Sequence, residues 1–441
     1  MKRTLIKIFT LILAVAMITS VFTACGGGGG DNGGGNTPAP TAPTTPSAPS
    51  GGDSGGSDAY DGPVMTVRVV TMCPVSGTSA RTGITQKAAV DAAVQHMAED
   101  DFINPAYKIE FDMDFVDDES STDKAAIAAN LAISKDPHIV IGHHLTTMIM
   151  ISAPFFEEAK IPLIGIISGP APATMGWEWF HYGTCTDADA GITLADYLAN
   201  VKGFKNILIM ARNDEGGKVG AAAVRAALES HGVSIPDSNY MEFATDDNEF
   251  SAHAMRAKEL QVECVLTYGL GATAALTCYD QLEQIYGSIP DTVFFAGSTS
   301  FAQPSMAEMF PPEKIEGIVF PSAYIHDPDN PFVVRFENQF KENDPEGMWP
   351  GDNNGRVYDA CWNIAAAVNL LAENDGYLHP DNDPNFRERL NYWLSQLVRQ
   401  GVQGEINYAA FTDGRIIKNA NIGEWRAVPG DVSRSFKIYP K

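Results

Sequence analysis

Basic residues and cysteines are both scarce in this 441-residue sequence. Thirty Lys and Arg residues stand against 55 Asp and Glu residues, which gives a formal net charge of −25. Nucleic acids are bound by clustered basic side chains that neutralise phosphates, so this charge balance excludes nucleic acid as a partner. The six cysteines include no C-x-x-C pair. They therefore favour small buried side chains over a disulfide framework.

The common catalytic motifs are also missing. There is no H-E-x-x-H, and Gly216-Gly217-Lys218 lacks the Ser or Thr that would complete a phosphate-binding loop. Ser121–Lys124 has the S-x-x-K form, but no K-T-G follows it. His143 and His144 are adjacent on a predicted strand end, where they point in opposite directions, and no third metal ligand is near. We therefore expect neither enzyme activity, nor a cofactor, nor a metal.

The N-terminus has the features of an export signal. Lys2, Arg3 and Lys7 precede an apolar stretch that ends in small residues at Ala24-Cys25. A transmembrane anchor is the alternative, but it needs about 20 apolar residues. The junction resembles a bacterial lipobox, in which the cysteine becomes the lipid-modified N-terminus. We expect residues 1–24 to be a lipoprotein signal peptide, and Cys25 to carry a lipid anchor on the extracytoplasmic face of the cell membrane.

Residues 25–63 are mostly Gly, Pro, Ser, Thr and Asn, with almost nothing large and apolar. Such a segment cannot bury enough apolar surface to offset the entropy lost on ordering. We expect a disordered linker with a mean span of roughly 35 Å.

From residue 64 onward, short β-branched runs alternate with segments of helical periodicity. The clearest succession is the helix predicted at Ser251–Glu259, the strand at Cys264–Tyr268 and the helix at Ala272–Tyr286. Alternation of this kind indicates βαβ units with parallel sheets and helices on both faces. The length exceeds that of one compact core and indicates two domains. The sequence predicts an α/β fold with two doubly wound, Rossmann-like lobes.

The C-terminal part breaks the alternation and predicts that the chain returns to the first lobe. A strand is predicted at Gly317–Ser322, followed by helices, and short strands are predicted near Gly404–Phe411, Arg415–Ile422 and Ser435–Tyr439. We assign residues 64–185 and 318–400 to the first lobe, and residues 186–317 and 401–441 to the second.

A series of motifs resembles one family along residues 65–440, the type I periplasmic solute-binding proteins of the branched-chain amino acid group. The first-lobe motifs are Pro74–Gly77, Gly83, Asp117-Asp118, Ile141–His143, Thr146-Thr147, Lys160–Ile164 and Ser168. The later ones are Phe250-Ser251, Glu316-Gly317, Asp327-Pro328, Gly404–Ile406 and Phe411–Gly414. The resemblance implies two lobes joined by three crossovers that close on a ligand, and delivery of that ligand to an ABC permease.

In parallel α/β sheets the ligand crevice lies beyond the carboxyl ends of the strands, where helix N-termini offer donors. This places the ligand near Ser76–Gly83, Leu145–Thr147 and Ser168–Pro172 of the first lobe. The second lobe would contribute Asp214–Gly217, Gly269–Ala272 and Gly297–Ser300. The candidate binding residues are Ser76, Thr82, Thr146, Thr147, Ser168, Ala171, Gly216 and Ser298.

This sequence matches only some of the residues with which the family binds the carboxylate and the ammonium of an amino acid ligand. The resemblance implies that Thr146 binds a ligand carboxylate and that the carbonyl of Ala171 receives an ammonium. Pro172 replaces a neighbouring threonine, although a slip of two residues would restore an Ala-Thr pair at Ala173-Thr174. Three further positions have changed: Gly216 and Thr82 replace pocket aromatics, and Ser298 replaces an acidic residue.

These changes bear on the ligand, because an unpaired buried ammonium costs several kcal/mol. We hypothesise a small polar ligand, either an amide or a carboxylate without an α-ammonium, rather than a simple branched-chain amino acid. Two local alternatives remain open. Thr146 and Thr147 would cap a helix starting near Met148, and Arg81 would pair with an anionic ligand or lie exposed on a loop.

Two functions fit this interpretation. The first is a receptor that delivers its ligand to an ABC permease. The second is a ligand-sensing ectodomain that signals to a membrane partner. A receptor fused to its transducer would need a transmembrane helix, and no such run follows Cys25, which favours transport.

Overall fold

The computed structural model describes residues 62–99, 103–104, 107–289, 291–376, 379–410, 417, 420–427 and 434–440. The predicted signal peptide, Cys25 and the linker before residue 62 lie outside the described residues, as does the motif at Phe411–Gly414. Within the described residues, no helix is both long and apolar enough to cross a membrane.

The first lobe is built on a six-stranded sheet with the order β2-β3-β1-β4-β5-β6. All neighbouring strands are parallel except the short β2, which is antiparallel to β3. The elements are β1 (Val64–Cys73), α1 (Ala80–Glu99), β2 (Ile103–Asn104), β3 (Tyr107–Asp117), α2 (Thr122–Ser134), β4 (Ile139–Ile141), α3 (Thr146–Ala159), β5 (Leu163–Gly165) and β6 (Phe180–Tyr182).

The second lobe has a seven-stranded sheet with the order β15-β14-β11-β10-β9-β7-β8, in which β14 is Asn421–Arg426 and β15 is Arg434–Tyr439. Strands β7 to β11 are parallel, whereas β14 and β15 are antiparallel to their neighbours. The elements up to β11 are α4 (Asp187–Asp196), β7 (Ile207–Arg212), α5 (Glu215–Ser230), β8 (Tyr240–Phe243), α6 (Ser251–Glu259), β9 (Cys264–Tyr268), α7 (Ala272–Tyr286), β10 (Phe294–Gly297), α8 (Ser305–Met309), α9 (Pro312–Ile315) and β11 (Val319–Ser322). The sequence predicted α6, β9 and α7 with the same bounds.

The chain then returns to the first lobe and crosses back once more. The remaining elements are α10 (Pro331–Asn343), α11 (Asp352–Asp375), α12 (Phe386–Ser395), β12 (Val398–Gly401), β13 (Gly404–Asn407), β14 (Asn421–Arg426) and β15 (Arg434–Tyr439). Three crossovers therefore join the lobes: the first follows β6, the second follows β11 and the third precedes β14. The predicted α/β fold with two doubly wound lobes and three crossovers is confirmed.

Two predicted lobe boundaries are wrong. Strand β11 belongs to the second sheet, beside β10, and not to the first lobe that was predicted to resume at residue 318. The chain was predicted to leave the first lobe at residue 401, but Val402, Ile406, Tyr408 and Ile417 are buried in the first lobe's core. The reason is the same in both cases. A short run of buried residues has the same pattern in either sheet, and only long-range contacts determine which sheet it joins.

Alternation along the central strands accounts for helices on both faces of each sheet. In β1, Val67 and Val69 pack into the core beneath α1, α10 and α11, whereas Val70 and Met72 pack into the core beneath α2 and α3. In β7, Leu208 and Met210 face one core, and Ile207, Ile209 and Ala211 face the other. Successive side chains of a strand point to opposite faces, so strands buried on both sides are nearly continuous in hydrophobicity.

The three crossovers are tied to one another by two buried amide side chains. Gln403 Nε2 donates to the carbonyl of Gly183 in the first crossover, at 3.0 Å. Asn421 Nδ2 donates to the carbonyl of Ala323 in the second crossover, at 2.7 Å, and to the carbonyl of Gln403, at 3.2 Å. Residues of the three crossovers also share a small buried apolar cluster, which consists of Cys185, Ala190, Ala323 and Ala420. The lobes are therefore joined at one connected hinge.

Candidate functional site

A cavity of about 270 Å³ lies at the carboxyl ends of β7, β9 and β10 in the second lobe. We call it the polar cavity. The three second-lobe segments that the sequence predicts at the ligand each contribute lining residues; they are Asp214–Gly217, Gly269–Ala272 and Gly297–Ser300. They meet because the carboxyl ends of parallel strands share one edge of the sheet. Its lining residues are Asp187, Arg212, Gly217, Gly220, Tyr268, Gly269, Leu270, Gly271, Ser298, Thr299, Ser300 and Pro321.

Three consecutive hydroxyl side chains follow β10 and line one wall of the polar cavity. The Oγ atoms of Ser298 and Ser300 lie 3.0 Å apart, and Ser300 Oγ donates to the carbonyl of Leu270, at 2.9 Å. Thr299 Oγ1 donates to Asp187 Oδ1, at 2.9 Å. Because Asp187 begins α4, directly after the first crossover, this bond ties the cavity wall to the hinge.

Arg212 ends β7 and supplies a cation to the polar cavity. Its Nε donates to Asp214 Oδ2 at 2.6 Å, and its Nη1 donates to the carbonyl of Gly269 at 2.9 Å. Asp214 also caps α5, since its Oδ1 accepts from the backbone N–H of Gly217, at 2.8 Å. Partial burial would raise the pKa of Asp214, but the hydrogen bonds from Gly217 and Arg212 outweigh it and hold the pKa below its ordinary value. The guanidinium is therefore fixed beside an ionised carboxylate.

Tyr268 ends β9 and lines the polar cavity, and its hydroxyl is buried. This hydroxyl has no hydrogen-bond partner among the described residues. Two glycines make room for the ring: a Cβ on Gly191 would lie 2.8 Å from the hydroxyl oxygen, and a Cβ on Gly220 would lie 2.6 Å from Cδ1. Burial raises the pKa of Tyr268, and the nearby charge of Asp187 raises it further. The side chain is therefore a neutral hydrogen-bonding group at physiological pH.

In the first lobe, the N-terminus of α3 lies at the carboxyl end of β4. The helix starts at Thr146, two residues earlier than predicted, so Thr146 and Thr147 are its first residues rather than its caps. Leu145 occupies the N-cap position and makes no side-chain cap hydrogen bond. An uncapped helix N-terminus offers backbone donors and a favourable dipole to an anion. The structure thus puts two hydroxyls and this helix end in one place.

The loop that contains Ser168 and Ala171 packs against Thr146. A Cβ on Gly169 would lie 2.4 Å from Thr146 Oγ1, so only glycine allows this approach. The hydroxyl of Tyr182 holds the loop, since it donates to the carbonyl of Gly169 at 2.9 Å and accepts from the N–H of Ala173 at 3.1 Å. The carbonyl of Ala171, which the resemblance assigned to an ammonium, accepts from Thr174 Oγ1 at 2.9 Å.

Ser76 and Thr82 lie between the end of β1 and the first turn of α1. Ser76 Oγ donates to Asp117 Oδ2, and the N–H of Val75 donates to Asp117 Oδ1 at 3.0 Å. Partial burial would raise the pKa of Asp117, but these hydrogen bonds hold it below its ordinary value. Ser76 therefore anchors its loop to the end of β3.

Arg81 forms an ion pair within the first lobe. Its two terminal nitrogens bind the carboxylate of Asp344 in a bidentate pair, at 2.7 and 2.8 Å, and Asp344 is buried. Arg81 lies in α1 rather than on a loop, and its guanidinium is already paired with a carboxylate. Arg81 instead fastens α1 to the loop after α10.

His143 and His144 have different environments. His143 Nδ1 lies 2.6 Å from Asp118 Oδ2, and both side chains are fully buried. His144 Nε2 lies 3.3 Å from Ser120 Oγ, and burial lowers the pKa of His144. The His143–Asp118 pair joins the ends of β3 and β4, directly before the loop that leads to Thr146.

Of the eight candidate binding residues, Ser298 lines the polar cavity and Gly216 lies beside its Gly217 in the first turn of α5. The other six, Ser76, Thr82, Thr146, Thr147, Ser168 and Ala171, belong to the first lobe and do not line this cavity. Sequence reasoning missed Asp187, Arg212 and Tyr268. Arg212 and Tyr268 are the last residues of their strands, a signal that would have identified both.

Comparison with known proteins identifies a matching family and solved structures with a similar fold. A family model described as periplasmic binding protein matches residues 66–427. A leucine-binding protein from Thermotoga maritima is similar in structure, with 20% identity, a TM-score of 0.63, and coverage of 85% of this chain and 99% of that chain. No curated protein matched in a sequence search.

Two other solved structures carry ligands. A branched-chain amino acid binding protein from Streptococcus pneumoniae, in complex with isoleucine, has 18% identity and a TM-score of 0.61, covering 85% of this chain and all of that chain (100%). A solute-binding protein from R. palustris, in complex with benzoate, has 18% identity and a TM-score of 0.62, covering 85% of this chain and 95% of that chain. At these identities the likeness shows the fold.

Proposed function

From the premise that this chain belongs to the periplasmic binding protein family, we propose that it is a lipid-anchored, extracytoplasmic receptor that captures a small polar ligand for an ABC importer. The family consists of binding proteins rather than enzymes. The observation that carries the proposal is the polar cavity at the strand ends of the second lobe. It lies where α/β sheets bind ligands.

The ligand is a carboxylate or an amide without an α-ammonium. The uncapped N-terminus of α3, with Thr146 and Thr147, suits the carboxylate or amide oxygen. Among the described residues that line the polar cavity, hydroxyl side chains outnumber charged ones, which suits uncharged hydrogen-bonding groups of a ligand. Of these residues, Asp187 carries a carboxylate that already accepts from Thr299, and Arg212 lies on the same cavity. Closure of the lobes is favoured by contacts that the ligand makes only when both surfaces reach it.

Titration of the purified protein with a panel of amides, short organic acids, aromatic acids and amino acids tests this assignment. We expect saturable heat release with an acid or amide, a matching rise in melting temperature, and no binding of leucine or isoleucine. Tight binding of leucine would contradict the ligand class, and failure of every member of the panel would contradict the function.

The variant Thr146→Val tests where the ligand carboxylate binds. Valine keeps the shape but removes the hydroxyl, and a lost hydrogen bond to a charged group corresponds to about tenfold weaker binding. Thr277→Val is the matched control, since Thr277 donates within α7 to the carbonyl of Thr273 and does not line the polar cavity. Equal affinities of the two variants would remove Thr146 from the site.

The lipid anchor is tested with Cys25→Ser. Stable membrane attachment requires about two acyl chains, which a lipobox cysteine provides. We expect the wild-type chain in the membrane fraction of the producing bacterium, with acyl mass on the N-terminal peptide, and the variant without that mass. An unmodified wild-type N-terminal peptide would contradict lipidation.

A further inference from the structure

A second cavity, of about 90 Å³, lies at the seam between the two lobes. We call it the seam cavity. Pro304, Glu308 and Trp425 line it from the second lobe, Trp349 from the first lobe, and Tyr324 from the second crossover. It shares no lining residue with the polar cavity. A space of this size holds several water molecules or one small organic group.

Three aromatic rings from three different parts of the chain meet at the seam cavity, namely Trp349, Trp425 and Tyr324. The face of an aromatic ring attracts cations, and Trp is the strongest of the aromatic residues. Trp349 already makes such a contact, since Lys341 Nζ lies 4.1 Å from the ring centroid. Lys341 itself does not line the cavity. Apart from the imidazole of His326, no described side chain that lines the cavity is basic, so the rings offer a surface to a cation from solution.

The charges around the seam cavity also favour a cation as its ligand. Among the described residues that line it there are two carboxylates, Glu308 and Glu337, and neither Lys nor Arg. Glu308 is exposed at the rim, whereas Glu337 is buried in the wall. Glu337 accepts from the hydroxyl of Tyr324 and from Nδ1 of His326, both at 2.7 Å. Aromatic walls with fixed carboxylates are the environment that substituted ammonium groups select.

We propose that the seam cavity binds a small organic cation with a tertiary or quaternary ammonium group. This site shares no lining residue with the polar cavity, and the proposal does not rest on the identity of the ligand bound in the polar cavity. Because its walls belong to both lobes, an occupant favours the lobe angle at which Trp349 and Glu308 both contact it. Binding there is therefore coupled to closure, and each ligand changes the affinity for the other by the same factor.

Choline is the probe, and its neutral isostere 3,3-dimethyl-1-butanol is the control for charge. The full protein is titrated with each compound while tryptophan fluorescence and heat are recorded. We expect saturable binding of choline and binding of the neutral isostere that is weaker by about tenfold, the range of a desolvated cation–π contact. Equal binding of the two compounds, or no saturation with choline, overturns the proposal.

Two variants locate the site. Trp349→Leu and Glu308→Gln are each expected to weaken choline binding, Trp349→Leu by about tenfold. Trp393→Leu is the matched control, because the indole of Trp393 donates to Asp375 and does not line the seam cavity. Unchanged choline affinity in Glu308→Gln and Trp349→Leu overturns the assignment. If Trp349→Leu does not fold, Glu308→Gln and the neutral isostere decide the question.

Discussion

Replacing Asp359 with alanine is expected to lower the free energy of unfolding by about 3–5 kcal/mol. The carboxylate is fully buried in α11 and accepts three hydrogen bonds from the β12–β13 hairpin. The donors are the N–H of Val402 at 3.1 Å, the N–H of Gln403 at 2.9 Å, and Nη1 of Arg399 at 3.1 Å. Alanine would leave two backbone donors and a largely buried guanidinium without this partner, and unpaired buried groups carry their full desolvation cost.

Urea unfolding curves measure this loss, with Asp359→Asn as an intermediate that keeps one acceptor oxygen. Asp237→Ala is the matched control. Its carboxylate also pairs with an arginine, Arg225 at 3.0 Å, but its side chain is 97% exposed. An exposed pair of this kind contributes at most about 1 kcal/mol. A stability of Asp359→Ala equal to that of Asp237→Ala would show that the hairpin is held by other contacts.

The carboxylate of Asp359 is also linked to the crossovers, because the hairpin that it holds contains Gln403. Asp359 fixes the backbone of Gln403, and Gln403 donates its side-chain amide to the first crossover. Asn421 then links Gln403 to the second crossover. Each of these segments is hydrogen-bonded to the next, so the hairpin and the crossovers form one connected unit.

The fold could be predicted from the sequence because its main signal is local. Helix α7 has buried residues at Ala275, Cys278, Tyr279 and Leu282, which is helical spacing, and β9 is a continuous buried run. Local periodicity is what defines such elements. The strand β6 (Phe180–Tyr182) was not predicted. Its aromatic side chains pack into the core with Trp177 beside them.

The sequence predicts only those parts of the candidate site that directly follow a predicted strand. The segments around Gly269 and Ser298 follow predicted strands, and they do line one cavity. Asp187 follows a crossover rather than a strand, and its bond to Thr299 joins residues that are 112 positions apart. The ion pair of Arg81 was missed for a similar reason, because its partner Asp344 is 263 positions away. Contacts over such distances leave no periodicity in a single sequence.

Replacing Gly83 with alanine is the second large effect that we expect. Gly83 lies in the first turn of α1, and its Cβ would be 2.0 Å from the carbonyl oxygen of Pro74 and 3.0 Å from the backbone nitrogen of Val75. These atoms belong to the backbone that follows β1, so the clash cannot be relieved by a change of side-chain rotamer. The helix would have to move away from the strand, at a cost of about 1–3 kcal/mol or more. Ser76 and Thr82 would move with it, so ligand affinity should also fall.

The control is Gly271→Ala, at the N-cap of α7. Gly271 also opens a helix after a central strand, but its φ is −79°, and beyond its chain neighbours no atom would lie within 4 Å of an added Cβ. Its unfolding free energy should therefore stay within about 0.5 kcal/mol of the wild type. Unfolding curves for both variants, and titration of Gly83→Ala with the ligand found in the panel, separate the two effects. If Gly83→Ala were as stable as Gly271→Ala, α1 and β1 would not be packed as closely as the distance to Pro74 requires.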